Sequence, residues 1–413
     1  MVSEKLLSDF IEEISMGPFG SDITIDNYVS SGVPVLNGSN VSGFKLTEDS
    51  FNYVTEDKAK SFRKAIARRG DVVITHRGTL GQIAYIPENS QYEKYVISQS
   101  QFRIRFSKAI DPRYLVYLFH TEYGQKKLLS FKNHVGVPAL AQATTNFRNL
   151  KIALHEIEEQ KRIADVISVL ENKIELNNRI NAELEAMAKT IYDYWFVQFD
   201  FPDKNGKPYK SSGGKMVWNE ELKREIPKGW EVKSLFAVCQ VQYGFPFSTN
   251  YFNEERDGIP VIRIRDILEN TISNYSTESE IDEKYLIKKG DLLIGMDGNF
   301  HINYWSVEGC YLNQRVVKLS ETNLPNIYLK YQVEPYIKLR EQSVSRTTVG
   351  HLSDKDLKAI RVLVPDKETL SSFKNLYKKS LEKIIHNKKE NQQLASLRDW
   401  LLPMLMNGQV KVN

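Results

Sequence analysis

Two cysteines, Cys239 and Cys310, in a chain of 413 residues are too few for a disulfide framework, and with no CxxC pair they form no zinc-ribbon signature. No run of 18 apolar residues occurs, so no membrane-spanning helix is expected. The opening MVSEKLLSDFIEEI has acids where an export signal needs a basic region ahead of an apolar one, so a cytoplasmic protein in a reducing compartment is expected. Neither sign of charge dominates: 56 Lys and Arg face 52 Asp and Glu, a net charge of +4, and no basic tail or acidic block identifies a partner. Catalytic signatures are missing as well. There is no GxxxxGK[ST], no GxGxxG after a strand, no Asn/Asp-Pro-Pro-Tyr/Phe tetrapeptide, and the seven histidines contain no HxxxH or HExxH. Gly295 and Gly298 lack the spacing to cradle a dinucleotide. A non-catalytic chain with no metal and no cofactor of its own is expected.

At about 100–200 residues per domain the length suggests two or three folded units. Comparing the chain with itself decides between them. RRGDVVITHRG, with its turn at Gly70-Asp71, returns as IKKGDLLIGMDG at Gly290-Asp291. SGVPVLN, ending at Asn37, returns as DGIPVIR, ending at Arg263, and SQSQFRIRF, ending at Phe106, is echoed by LNQRVVKL, ending at Leu319. Each copy continues into a small polar loop, a short strand (150–154; 360–364) and a long helical segment. Inside the copies Val, Ile, Tyr and Phe alternate with polar residues between Gly, Pro, Asn and Asp turns, the pattern of short strands. A helix is expected after Asp111, with Pro112 at its first position, and another after Leu324-Pro325.

The helical segments carry a coiled-coil seam. Ile163, Ile167, Leu170, Ile174, Asn177, Asn181, Leu184, Ala188, Ile191 and Trp195 alternate at four and three residues. Shifted by about 210 positions, the second segment gives Phe373, Tyr377, Ser380, Ile384, Asn387, Asn391, Leu394, Arg398 and Leu401. Asn on a seam disfavours any alignment that leaves its amide unbonded, so Asn177, Asn181, Asn387 and Asn391 read as a mutual register lock. The fold class expected is α+β: two β-rich domains separated by two long antiparallel coiled-coil helices in a pseudo-two-fold repeat. The boundaries are 1–150, 151–210, 211–365 and 366–413. A helix of that length spans roughly 55–60 Å, so two domains on one rod suit two sites on an extended ligand such as duplex DNA.

Candidate contacts are the polar residues at turns, where a sheet presents side chains. In the first copy they are Asn37, Ser39, Asn40, Thr75, His76, Arg77, Thr79, Gln99, Gln101, Gln142, Thr144 and Thr145. In the second they are Arg263, Arg265, Asp297, Asn299, His301, Asn313, Gln314, Arg315, Arg346, Thr347 and Thr348. Arg suits the O6/N7 edge of guanine, and Asn or Gln suits the N6/N7 edge of adenine. Ser, Thr and Lys more often hold phosphates. Residues 1–150 carry a net +3 and 225–365 a net −2, so much of any grip on phosphates would come from partner subunits. Pairs such as Glu171 and Lys173 read as solvated helix face. The other class open at this point is a structural adaptor whose two domains bind proteins.

The order of these features resembles the specificity subunit of type I restriction-modification systems. The resemblance rests on GDVVITHRGTLGQIAYIP and GDLLIGMDG, on the two helical junctions including YWFVQFDFP, and on IPKGWEV at 226–232. It covers nearly the whole chain. It implies two target recognition domains, each reading half of an asymmetric bipartite DNA sequence, with the helices as a ruler for the spacer. It also implies assembly with two methyltransferase subunits, which would bind S-adenosylmethionine, and with restriction subunits, which would use ATP and Mg. The aromatics of Tyr192 to Phe196 could dock a methyltransferase subunit or simply pack at the helix end.

Overall fold

The computed structural model describes residues 3–18, 22–133, 137–343 and 350–412. The chain divides into two compact units, Met1–Glu171 with Ser396–Asn413, and Asn172–Ala395.

In unit 1 a four-stranded antiparallel sheet orders Ile11–Met16, Gln101–Phe106, Val72–Thr75 and Ile83–Tyr85. A second sheet orders Asn52–Val54, Val33–Val35, Lys94–Val96 and Ile66–Arg68, with Val33–Val35 parallel to Lys94–Val96. Helix Pro112–His120 begins where expected, its N-cap Asp111 accepting from the amides of Arg113 and Tyr114. It buries Tyr114 to Phe119 against Val72, Ile74, Phe102 and Ile104. Strand Lys151–Leu154 closes the unit by pairing with Ser3–Leu6.

Unit 2 repeats this plan. Cys239–Tyr243, Val316–Glu321, Leu292–Gly295 and Ile302–Tyr304 form the four-stranded sheet. In the companion sheet Ile259–Ile262 lies parallel to Cys310–Leu312. Glu231–Ser234 and Arg361–Val364 form a separate two-stranded antiparallel sheet. The hairpin Met216–Asn219 with Arg224–Pro227 is an addition. Pairing fixes the correspondence between copies: Val72 faces Ile104 and Leu292 faces Leu319. Phe106 therefore matches Glu321, not Leu319. The end-to-end echo of the two sequence segments differs from this pairing by two residues because both strands alternate apolar and polar side chains, so a shift by two preserves the pattern.

The Gly-Asp turn anchors each sheet. Asp71 is buried, accepts from the Arg68 amide at 2.9 Å, and pairs with Arg105 at 2.7 Å and Arg103 at 3.4 Å. Asp291 accepts from the Lys288 amide at 2.8 Å and faces Lys318 at 3.8 Å. Burial raises both carboxyl pKa values against the pull of these cations, and burial lowers that of Lys318.

The two long helices, Ile157–Tyr192 and Lys367–Met406, run antiparallel within each unit. In unit 1, Ile163 and Ile167 share the core with Leu402, Leu405 and Met406, and Glu171 pairs with Arg398 at 2.6 Å. Glu171 is thus not solvated as expected: its partner lies 227 residues away, and local sequence could not show it. Lys173 likewise meets Glu390, at 3.3 Å. In unit 2, Ala188, Tyr192 and Leu184 pack with Phe373, Tyr377 and Ile384. Asn177 donates to Asn391 Oδ1 at 2.9 Å and Asn387 donates to Asn181 Oδ1 at 2.9 Å, while Asn391 donates to Asn178 at 2.7 Å. The central helix ends in a π-helical turn, Asp193–Val197. There Tyr192 and Phe196 are buried among Tyr328 and Phe373, with Phe196 ring centroids 4.8 and 5.0 Å from those two. These aromatics pack the core; Tyr194 alone is substantially exposed.

Among the described residues no group of His, Cys, Asp and Glu is placed to hold a metal ion, and no helix is long and apolar enough to cross a membrane. Both cysteines are buried and free, with burial pushing their thiols up to about 12 (Cys239) and about 11 (Cys310).

Candidate nucleic-acid interface

In each unit the four-stranded sheet ends in an edge where four turns converge, and backbone hydrogen bonds tie them together identically. In unit 1 the His76 amide donates to Ser100 O at 2.8 Å, Gly78 to Pro138 O at 3.0 Å, and Leu140 to His76 O at 2.8 Å. In unit 2 the Met296 amide donates to Arg315 O at 3.0 Å, Gly298 to Gly350 O at 2.9 Å, and Leu352 to Met296 O at 2.7 Å. A glycine completes each edge. A Cβ on Gly17 would lie 1.9 Å from Ser98 O, and one on Gly244 would lie 1.9 Å from Asn313 O, so only glycine lets these backbones touch.

On the unit 1 edge Asn37, Ser39, Arg77, Thr79 and Gln99 are exposed, as are Gln142 and Thr145 beyond strand Ala139–Leu140, with Thr144 half-buried. Four expected contacts lie inside the edge instead. Asn40 is buried, accepting from the Asn37 amide at 2.9 Å and donating to Thr47 O and Ser50 O. Gln101 is fully buried, accepting from the Ser98 amide and donating to Asn37 O, both at 3.0 Å. Thr75 is buried in its strand, and His76 bonds Gln99 O at 3.1 Å with burial lowering its imidazole pKa. Asn40, Gln101 and His76 build the turns, whereas the buried Thr75 hydroxyl has no hydrogen-bond partner among the described residues. A buried polar group needs its hydrogen bonds satisfied locally, and a turn supplies them.

Unit 2 gathers more. Arg263, Arg265, Asn299, His301, Asn313, Gln314 and Arg315 line one groove of about 480 Å³ with Phe247, Thr249, Phe252 and Ile264. Arg263 donates to Asn274 Oδ1 at 2.9 Å and lies over the Phe252 ring at 5.7 Å. Arg265 bonds Ser273 Oγ at 2.9 Å and also reaches Asn274. Asp297 is held between His351 Nδ1 at 2.6 Å and Arg315 Nε at 3.3 Å. Arg346, Thr347 and Thr348 lie outside the described residues.

Against known proteins, residues 20–186 and 227–394 each match the family described as Type I restriction modification DNA specificity domain. The chain belongs to that family. It is a type I specificity subunit with two target recognition domains. It is similar to the type I restriction enzyme MjaIX specificity subunit of Methanocaldococcus jannaschii, 27% identical over 374 residues, 87% of this chain and 82% of that one. It is also similar to the HindI specificity subunit of Haemophilus influenzae, 23% identical across 98% of this chain and 100% of that one. The S subunit from M. genitalium shares the fold, with a TM-score of 0.54 at 16% identity, covering 98% of this chain and 96% of that one.

Sequence reasoning about this specificity subunit missed several residues at the edges. Gln82 occupies the unit 1 position of His301, since the Thr75 amide donates to Gln82 O and the Gly295 amide to His301 O. Its signal was available once the Gly-Asp turns were matched. Phe247 and Phe252 follow Gly244, and MGPF against YGFPF is a further echo that self-comparison could have found. His351 had no signal: it reaches Asp297 across 54 residues.

Proposed function

We propose that each recognition domain reads one half of an asymmetric, bipartite DNA target through its converged sheet edge, and that the antiparallel helices set the spacer between the halves. One observation supports this above others. The frame of the two edges is matched bond for bond, while its exposed and half-buried side chains differ: Asn37 against Arg263, Arg77 against Asp297, and Ser98, Gln99 and Ser100 against Asn313, Gln314 and Arg315. Unlike readers on one frame suit unlike half-sites. Chemistry belongs to partners in this reading. Two methyltransferase subunits bind S-adenosylmethionine and methylate adenine, restriction subunits use ATP and Mg, and the complex works in the cytoplasm. This division agrees with the near-neutral charge, because phosphate grip is shared with the partners.

The test is a domain exchange in the reconstituted complex, replacing residues 1–150 by a foreign recognition domain and selecting bound duplexes from a random pool. One half of the enriched motif should change while the other half stays. Loss or change of both halves refutes modular reading. Inserting four residues after Asn178, about one helical turn, should alter the preferred spacer or abolish binding; an unchanged spacer at full affinity refutes the ruler.

A further inference from the structure

We infer that Arg315 reads a guanine in the half-site of the second recognition domain, and that Asp297, held by His351, is the residue that positions it. This deepens the proposed function and rests on it. Three arginines line the unit 2 groove, and their bonding separates them. Arg263 and Arg265 both spend guanidinium donors on Asn274 Oδ1, and Arg265 spends Nε on Ser273. Arg315 is placed otherwise. Its side chain is 54% exposed, and its ion pair among the described residues is Nε to Asp297 Oδ2 at 3.3 Å. Neither Nη group has a hydrogen-bond partner among the described residues, and the two form a parallel donor pair, the geometry that matches guanine O6 and N7 in the major groove.

The support behind it is built. Arg315 sits in the turn immediately before strand Val316–Glu321, and its carbonyl accepts from the Met296 amide at 3.0 Å. Asp297 is the next residue after Met296, so one hydrogen bond fixes both backbones. Asp297 has its second oxygen on His351 Nδ1 at 2.6 Å, and the two residues form an isolated antiparallel bridge. A long arginine side chain loses much rotamer freedom on binding, and a carboxylate fixed from the other side removes part of that cost beforehand. Asp297 was expected to touch DNA itself; with both oxygens engaged it acts through Arg315. Unit 1 differs at both positions. The matched positions are Arg77 and Ser100, so the carboxylate is replaced by a cation and the arginine by a hydroxyl.

The experiment uses the full chain assembled with its methyltransferase subunits, and measures binding to duplexes carrying each of the four bases at every position of the half-site assigned to unit 2. Wild type should prefer guanine at one position by roughly 5- to 150-fold, the discrimination of a bidentate pair. Arg315→Ala should level that position alone. Arg315→Lys should keep most affinity but lose most of the preference. Asp297→Asn should weaken the preference at the same position while every other position, and the unit 1 half-site, keep their profiles; Asp297→Glu should restore part of it. A uniform loss across all positions with a shallower salt slope would make Arg315 a phosphate contact and overturn the assignment. Unchanged preferences in Arg315→Ala would overturn it as well. If the wild-type complex selects no split motif, the DNA reading fails with it; a split motif that survives Arg315→Ala unchanged refutes this inference alone.

Discussion

The two Gly-Asp turns occupy the same place in the two units and are held by different means. Asp71 sits between two arginines, one of them buried, whereas Asp291 faces Lys318 at 3.8 Å and accepts from Ser320 Oγ at 3.2 Å. Arg103 fills the position of Lys318 and Arg105 that of Ser320. Geometry was kept and the chemistry of its support drifted. The converged sheet edges show the same division more strongly, with identical backbone bonds and unlike side chains. What must persist is the placement of turns. What fills them is free to vary wherever solvent or ligand, rather than the core, is the neighbour.

The largest difference between the units should appear on removing these carboxylates. Asp71→Ala leaves Arg103, whose side chain is 7% exposed, with Glu13 as its remaining carboxylate partner among the described residues, and breaking a buried pair in this way costs about 3 kcal/mol. Asp291→Ala should cost less, about 1–2 kcal/mol, because Lys318 Nζ keeps its bond to Leu286 O at 2.5 Å. Hydrogen exchange under native conditions reports each unit separately and checks the ranking. Equal losses would mean that the turn bond to the Arg68 or Lys288 amide, common to both, sets the cost.

The matched glycines should instead behave alike. Gly17→Ala and Gly244→Ala each place a methyl on a backbone carbonyl that cannot move aside as a side chain would, and each should cost about 1–3 kcal/mol in its own unit. Retained stability in one variant and collapse in the other, read by the same exchange measurement, would show that the two edges are not equivalent.

Much of this frame was legible in the sequence because turns are written in few residue types. Gly-Asp, together with Gly-Val-Pro in one copy and Gly-Ile-Pro in the other, located both copies, and the asparagines on a four-three seam located the helix pair. Side-chain fate at the edge was not legible. Asn37 and Asn40 are one residue type in one turn, yet one is exposed and the other buried, and only the direction of the chain after the turn separates them. Glu171 and His351 were invisible for another reason, since their partners Arg398 and Asp297 are distant in sequence. The family resemblance identified two recognition domains but said nothing about which arginine is left with free donors. That depends on where Asn274 and Asp297 fall.

The smallest expected difference is in pH response. Among the described residues the imidazoles with lowered pKa are His76, His120 and His155, all in unit 1, and burial is the first cause for each. His120 bonds Ile83 O at 2.9 Å beside the Phe44 ring, and His155 bonds Tyr114 Oη at 2.9 Å. A folded pKa below the unfolded value of 6.5 means that unfolding takes up protons in the interval between them. The stabilisation is complete above 6.5 and is lost as pH falls toward the folded values. Exchange protection in unit 1 should therefore drop between pH 7 and about 5 more than in unit 2, after correction for the intrinsic pH dependence of exchange. Replacing His120 by Gln, which can still donate to Ile83 O, should flatten the drop by the share of one imidazole. An unaltered profile in that variant would assign the acid sensitivity to His76 and His155, nearer the converged sheet edge and the closing strand.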